Sequence, residues 1–156
     1  MGLDQYITRQ IIEINDNTHP FYTIDGKTKS IKKIYVLQNN DFMYFRKFNH
    51  LHGWFEETFN REIDNTESVY FGLKKLFKLR DDAQTVLNEF ERNSKRYKHV
   101  AESLFPGRHG FFFGSEEYGQ YFRDNLNYIV EHIKQEEDFL INNEDIIFRY
   151  KYLAWW

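Results

Sequence analysis

The sequence predicts an α+β fold, a mixed or antiparallel sheet with about three helices packed on one face. Three observations carry this. Segments rich in β-branched and aromatic residues stand at both ends of the chain, over residues 3–14 and 146–156. Between them, apolar residues recur at helical spacing after Asn49, over 69–92, and again after Ser115. The 156 residues, 41% of them hydrophobic and 29% charged, are the amount of chain one core can organise, so residues 1–156 read as a single domain.

In order along the chain, residues 3–14 alternate and are rich in Ile, Tyr and Thr, which makes them a strand. Residues 15–20 read as a turn ending at Pro20, residues 21–24 as a short strand, and Asp25-Gly26 as a hairpin-turn dipeptide. A further strand is expected over 31–37, a turn at Asn39-Asn40-Asp41, and a short apolar segment over 42–45. Asn49 is a good N-cap residue, and Leu51, Trp54, Phe55 and Phe59 then share one helical face. Gly53 inside that helix costs about 1 kcal/mol relative to Ala, so something is expected to approach closely there.

A longer helix is expected over 69–92, with Leu73, Leu76, Phe77, Ala83, Val86, Leu87 and Phe90 as its stripe. The basic stretch 92–99 reads as its frayed end or a loop, and Pro106-Gly107 stops regular structure. Phe111, Phe112 and Phe113, bounded by Gly110 and Gly114, read as a short buried strand. Ser115 then caps a third helix, with Glu116 and Glu117 in its first turn and an inner face from Tyr118 and Tyr121 to Ile133. Residues 142–145 form a turn, and the final strand puts Phe148, Tyr150 and Tyr152 on one face.

Composition also bounds function. Sixteen Phe, eleven Tyr and three Trp make the chain 19% aromatic, so large flat side chains must fill the core. There is no cysteine, which excludes disulfides, thiolate metal sites and a Cys nucleophile, and fits a reducing compartment. The N-terminus lacks a basic segment followed by an apolar run, so no signal peptide is expected, and no apolar stretch is long enough to span a membrane. A net charge of −3 gives no whole-chain attraction to nucleic acid, which is therefore not the expected partner; only a local basic patch would provide a route to it.

Three segments could carry chemistry. In the first, Arg46 and Lys47 precede a helix start, with His50 and His52 in its first turn and Tyr44 and Trp54 alongside. Free N–H groups and the helix dipole at such a start favour an anion. The bland alternative is that the cations are solvated and the histidines are polar residues near the cap. Positions i and i+2 diverge on a helix, so His50 and His52 are not expected to share a metal, and no metal or other cofactor is expected. The second segment is the Gly114-Ser115 corner with Tyr118; neither GxGxxG, GxxxxGK[ST] nor GxSxG is present there. The third is the C-terminus, where Tyr150 and Tyr152 are expected to close the core while Trp155 and Trp156 stay available for stacking.

These segments together resemble a family of small accessory proteins encoded by tailed bacteriophages and prophages. The resemblance rests on Met1-Gly2-Leu3-Asp4-Gln5-Tyr6, on Tyr44 with Arg46, Lys47, Asn49, His52, Trp54 and Phe55, on Gly110 to Ser115 with Tyr118, and on the Trp155 region. It covers nearly the whole chain. Phe45 stands where the pattern has Trp, and Leu153 and Ala154 where it has Ser. The resemblance implies a protein acting in the bacterial host cytoplasm. Polar residues at shared positions point to a ligand site made of Tyr44, Arg46, Lys47, Asn49, His52, Trp54, Ser115 and Tyr118.

The leading expectation is a small anionic, nucleotide-like ligand, for instance a host defence signal that the protein sequesters. The alternative is a module that inhibits a host protein through Trp155 and Trp156. The weakest is a hydrolase or phosphotransfer enzyme using His52 as general acid or base. Self-association is compatible with the sequence, and no membrane partner is expected.

Overall fold

Four strands of one antiparallel sheet lie in the order β4-β1-β6-β5. They are β1 Asp4–Asn15, β4 Lys33–Arg46, β5 Ser68–Phe71 and β6 Ile147–Trp155. A separate two-strand pair, β2 Thr23–Ile24 with β3 Lys27–Thr28, comes between β1 and β4 in the sequence. The computed structural model describes residues 2–15, 23–24, 27–28 and 33–156. The expected turns after Asn15 and at Asp25-Gly26, the start of the expected strand at 21–22, and residues 31–32 lie outside those described. Among the described residues there are four helices: α1 Asn49–Phe59, α2 Leu73–Glu91, α3 Tyr97–Leu104 and α4 Gln120–Ile141. None of them is long and apolar enough to cross a membrane.

The fold is therefore the expected α+β class, with the sheet purely antiparallel and four helices in place of about three. Strand pairing sets the two faces of the sheet. Gln5 stands between Phe45 and Ala154, and Ile7 between Met43 and Tyr152, while Val69 and Phe71 pair with Tyr152 and Tyr150. All of these are buried, because this is the face the helices cover. The core continues through Leu51, Trp54 and Phe55 of α1, Leu76, Leu79 and Val86 of α2, and Phe122, Leu126, Ile129 and Ile133 of α4. Phe55 stacks on Tyr152 with ring centroids 3.9 Å apart and planes 12° from parallel, a contact of about 1 kcal/mol beyond its burial. On the same face Glu136 of α4 takes both a two-pronged contact from Arg9 (3.0 and 2.8 Å) and the Tyr150 hydroxyl (2.8 Å).

Five local expectations are corrected. Asn39-Asn40-Asp41 is not a turn: β4 runs through it, paired with Thr8, Arg9 and Gln10, with irregular register on either side. The Asn39 side chain accepts from Gln10 (3.0 Å), which anchors the strand where a turn is expected. The expected helix start at Val69 is a strand instead, since Val69 and Phe71 fill the core beside β6 and Gly72 in extended conformation precedes α2. Part of the expected basic loop after Arg92 is α3. Phe111, Phe112 and Phe113 form a turn closed by Phe113 N–H donating to the Gly110 carbonyl (3.0 Å); only Phe113 is buried, and Phe111 is 96% exposed. Ser115 does not cap α4, which begins five residues later after Gly119. Glu116 and Glu117 thus precede the helix, and Tyr121 faces solvent.

Candidate functional site

The two central motif segments do converge, and what joins them is a set of buried clamps. The chain enters α1 through Lys47, whose φ is 53°. Asn49 is not the N-cap; Phe48 is, and no side chain caps the helix. Asn49 instead points its amide into the 107–115 loop, donating to the carbonyls of Phe113 (3.2 Å) and Ser115 (2.8 Å) and accepting from Arg108 N–H (3.0 Å). His50 Nε2 meets the Glu116 carbonyl (3.2 Å). Leu3 donates to the Phe112 carbonyl (2.9 Å) and accepts from Lys47 N–H (2.6 Å). The loop carbonyls that a strand neighbour would satisfy are thus satisfied by α1 and by the chain start, which is why the Phe triplet needs no strand.

Two glycines let these pieces touch. A Cβ on Gly53 would lie 1.9 Å from the Pro106 carbonyl oxygen, so the close approach expected at this helical glycine is real. Gly114 has φ +86°, and its Cβ would lie 2.8 Å from the Lys47 backbone oxygen.

His52 belongs to the same hub, and its tautomer follows from donor accounting. Phe48 N–H donates to Gln5 Oε1 (3.1 Å), which turns Gln5 Nε2 toward the Tyr152 hydroxyl (3.0 Å). Tyr152 therefore accepts from Gln5 and gives its own proton to His52 Nδ1 (2.9 Å). The His52 proton sits on Nε2, facing the Glu56 carboxylate at 3.5 Å. Glu56 is held in turn by Ile63 N–H and the Arg108 guanidinium. Burial pushes the His52 pKa below its ordinary value, with the Glu56 charge opposing, and burial lowers His50 likewise. His52 Nδ1 is thus committed to Tyr152, and Nε2 faces a carboxylate rather than a place for a ligand phosphate.

Trp54 is buried and donates to Asp82 (2.8 Å), tying α1 to α2. The Tyr118 hydroxyl donates to the Phe105 carbonyl (2.9 Å) and accepts from Gly107 N–H (3.1 Å). Ser115 is exposed, its hydroxyl accepting from Glu117 N–H (3.1 Å) in a local turn. A cleft of about 570 Å³ beside the hub is lined by His52, Glu56, Glu57, Glu62, Asp64 and Arg108, among others. Arg61 and His109 also line it; Arg108 is paired with Glu56 and Glu57, Arg61 with Glu67, and His109 lies against Glu116, so each cation of the cleft already faces a carboxylate. Among the described residues no group of three or more His, Asp or Glu side chains is placed to hold a metal ion.

Tyr44 and Arg46 lie elsewhere. They stand on the sheet face away from the helices, and the pairing shows what joins them. Tyr6 pairs with Tyr44 and with Leu153, Asp4 with Arg46 and with Trp155, Thr8 with Lys151, and Lys151 with Tyr70. Directly paired residues share a face, so Tyr6, Tyr44, Tyr70, Trp155, Arg46 and Lys151 all project from this one. Tyr44, Tyr70 and Trp155 are 44%, 48% and 49% exposed.

The Tyr6 and Tyr44 rings sit 5.1 Å apart. The Tyr44 hydroxyl donates to Asp4 (2.5 Å), and that bond raises the phenol pKa. Arg149, bonded to Gln10 (2.7 Å), spreads its guanidinium over Tyr70 at 4.2 Å. Arg46 lies 3.8 Å from Asp4, and Lys151 has no ion-pair partner among the described residues. Lys47 is exposed just past the end of β4. The eight sequence-nominated residues therefore divide: Tyr44 and Arg46 lie on the open face with Lys47 beyond its strand end, while Asn49, His52 and Trp54 are internal, Tyr118 is half-buried against the 105–107 segment and Ser115 serves the loop.

Sequence reasoning did not nominate Tyr6, Tyr70, Arg149 or Lys151. The alternation of 149–155 placed Tyr150 and Tyr152 on one face, and the residues between them had to occupy the other. Comparison with protein-family models, with curated proteins and with solved structures gave no significant match.

Proposed function

We propose that the protein binds a nucleotide-like anionic ligand on the open face of its sheet. The observation that carries this is the tilted Tyr6–Tyr44 ring pair beside Arg46, with Lys151 on the same surface. Aromatic faces stack on bases with little regard to sequence, and a guanidinium and an ammonium supply phosphate contacts. The ligand class is the one expected from sequence, while its position moves from the α1 start to the sheet. The resemblance to phage accessory proteins supplies a purpose, removal of a nucleotide signal inside a bacterial host. Isothermal titration calorimetry with linear and cyclic nucleotides tests the reading. The expected result is saturable heat that Tyr44→Ala and Lys151→Ala abolish. Silence across both nucleotide forms overturns it. If that silence came with a stoichiometric host protein captured by the native chain and lost on Trp155→Ala, the face would be assigned to a protein contact.

A further inference from the structure

We infer that the open face takes a single-stranded nucleic acid several nucleotides long, of which one nucleotide fills only a part; this rests on the nucleotide reading above. The inference comes from the spacing of the aromatic groups. Tyr44 and Tyr6 occupy neighbouring strands at one end of the face. Tyr70 lies on β5 at the opposite edge, offset from them by one residue pair. Strands about 4.8 Å apart and a two-residue step of about 6.7 Å put Tyr44 and Tyr70 roughly 16 Å apart. Trp155 lies between these edges, on β6 beyond Leu153. One base and its phosphate do not reach from the Tyr44–Tyr6 pair to Tyr70, whereas a short strand crossing the sheet does, with Trp155 flanking its Arg46 end on the side away from Tyr70.

The cations follow the same path. Lys151 stands on β6 between Thr8 and Tyr70, and Arg149 lies over the Tyr70 ring, where a guanidinium can contact a phosphate while the ring contacts a base. Arg46 flanks the other end. Among the described residues two carboxylates share the face, Asp4 and Asp41, and Asp4 is engaged by Arg46 and the Tyr44 hydroxyl. With three cations against two carboxylates, the face is locally basic in a chain of net charge −3. Its occupant must therefore gain as much from stacking as from charge, which favours unpaired bases. Duplex bases are stacked on one another and present edges, not faces.

The test is fluorescence anisotropy of the full chain with fluorescein-labelled oligothymidylates of two, four, six and ten nucleotides, oligouridylate of ten, and a ten-base-pair duplex. Unlabelled thymidine monophosphate serves as competitor. Affinity is expected to rise at least tenfold from two nucleotides to four or six and then level off. The duplex should bind at least tenfold more weakly than the single strand. With two to three phosphates engaged, log affinity should fall against log salt with a slope of about −1.4 to −2.1. Tyr44→Ala, Tyr70→Ala and Trp155→Ala should each weaken the ten-mer about fivefold or more. The length and salt dependences need no variant and stand if one misfolds.

Thymidine monophosphate competing as well as the four-mer overturns this inference and leaves the nucleotide reading intact. Equal or tighter duplex binding, or affinity unmoved by all three aromatic variants, also overturns it. No binding by any oligonucleotide, with silent nucleotide calorimetry, removes both readings.

Discussion

The hub around α1 and the open face of the sheet draw on the same kinds of residue, tyrosines, cations and amides, and use them in opposite ways. In the hub, Gln5, Tyr152, His52 and Glu56 form an internal chain of polar contacts. Asn49 and Tyr118 saturate the loop that wraps them. On the open face, Tyr44, Tyr70 and Trp155 leave about half their surface to solvent, and Lys151 is unpaired among the described residues. A polar residue in a signature motif can thus be specific because the fold needs it. In a low-dielectric interior an unpaired amide or imidazole is costly, so a satisfied buried network restricts residue choice as strongly as a ligand would.

If that division is right, substitutions in the hub should cost stability, and those on the face should cost binding alone. The largest loss is expected for Gly53→Ala, whose new Cβ meets a backbone oxygen that cannot rotate away. A destabilisation of about 3 kcal/mol or more, roughly a 6–12 °C fall in Tm, should appear in thermal denaturation. An unchanged melting temperature would mean that α1 does not lie against Pro106. Asn49→Ala should cost about 2–3 kcal/mol in urea denaturation, because it orphans the Phe113 and Ser115 carbonyls and the Arg108 N–H. A neutral result would reopen Asn49 as a ligand residue.

The two buried histidines sharpen the comparison through pH. Each has a folded pKa lowered from 6.5 by burial, so the unfolded chain takes up protons more readily. Stability should be level above that value and fall as pH drops from 6.5 toward the lowered folded values, by up to about 1.4 kcal/mol per pH unit for each histidine. Urea titrations at successive pH values measure this, and His52→Gln should flatten the slope. The smallest effects belong to the face. Tyr44→Ala, Trp155→Ala and Lys151→Ala should each shift stability by no more than about 0.5 kcal/mol. A loss comparable to that of Asn49→Ala would show that the face is structural too.

Much of this molecule was legible in its sequence. Residue alternation placed the first and last strands, with Tyr150 and Tyr152 inward, and helical spacing placed Leu51, Trp54 and Phe55 on a buried face. Gly53 announced a close contact, although not with what. These inferences succeed because periodicity and glycine are local properties, fixed by the chain's own geometry. The Phe triplet and Ser115 were misjudged because their backbone partners, Asn49 and Leu3, lie more than sixty residues away.

The candidate site shows the same boundary more sharply. Residue type together with the family resemblance nominated Tyr44, Arg46, Asn49 and His52 as one site, and chemistry of that kind does suit an anion. Which of them face a ligand was decided by strand register. Register joins Tyr44 to Tyr6 and, across β1, sets Lys151 and Trp155 on their side, while Tyr152 turns inward to bind His52. A shift of one residue in that pairing would exchange the two faces, so only the assembled sheet could assign the polar residues to the interior or to a ligand.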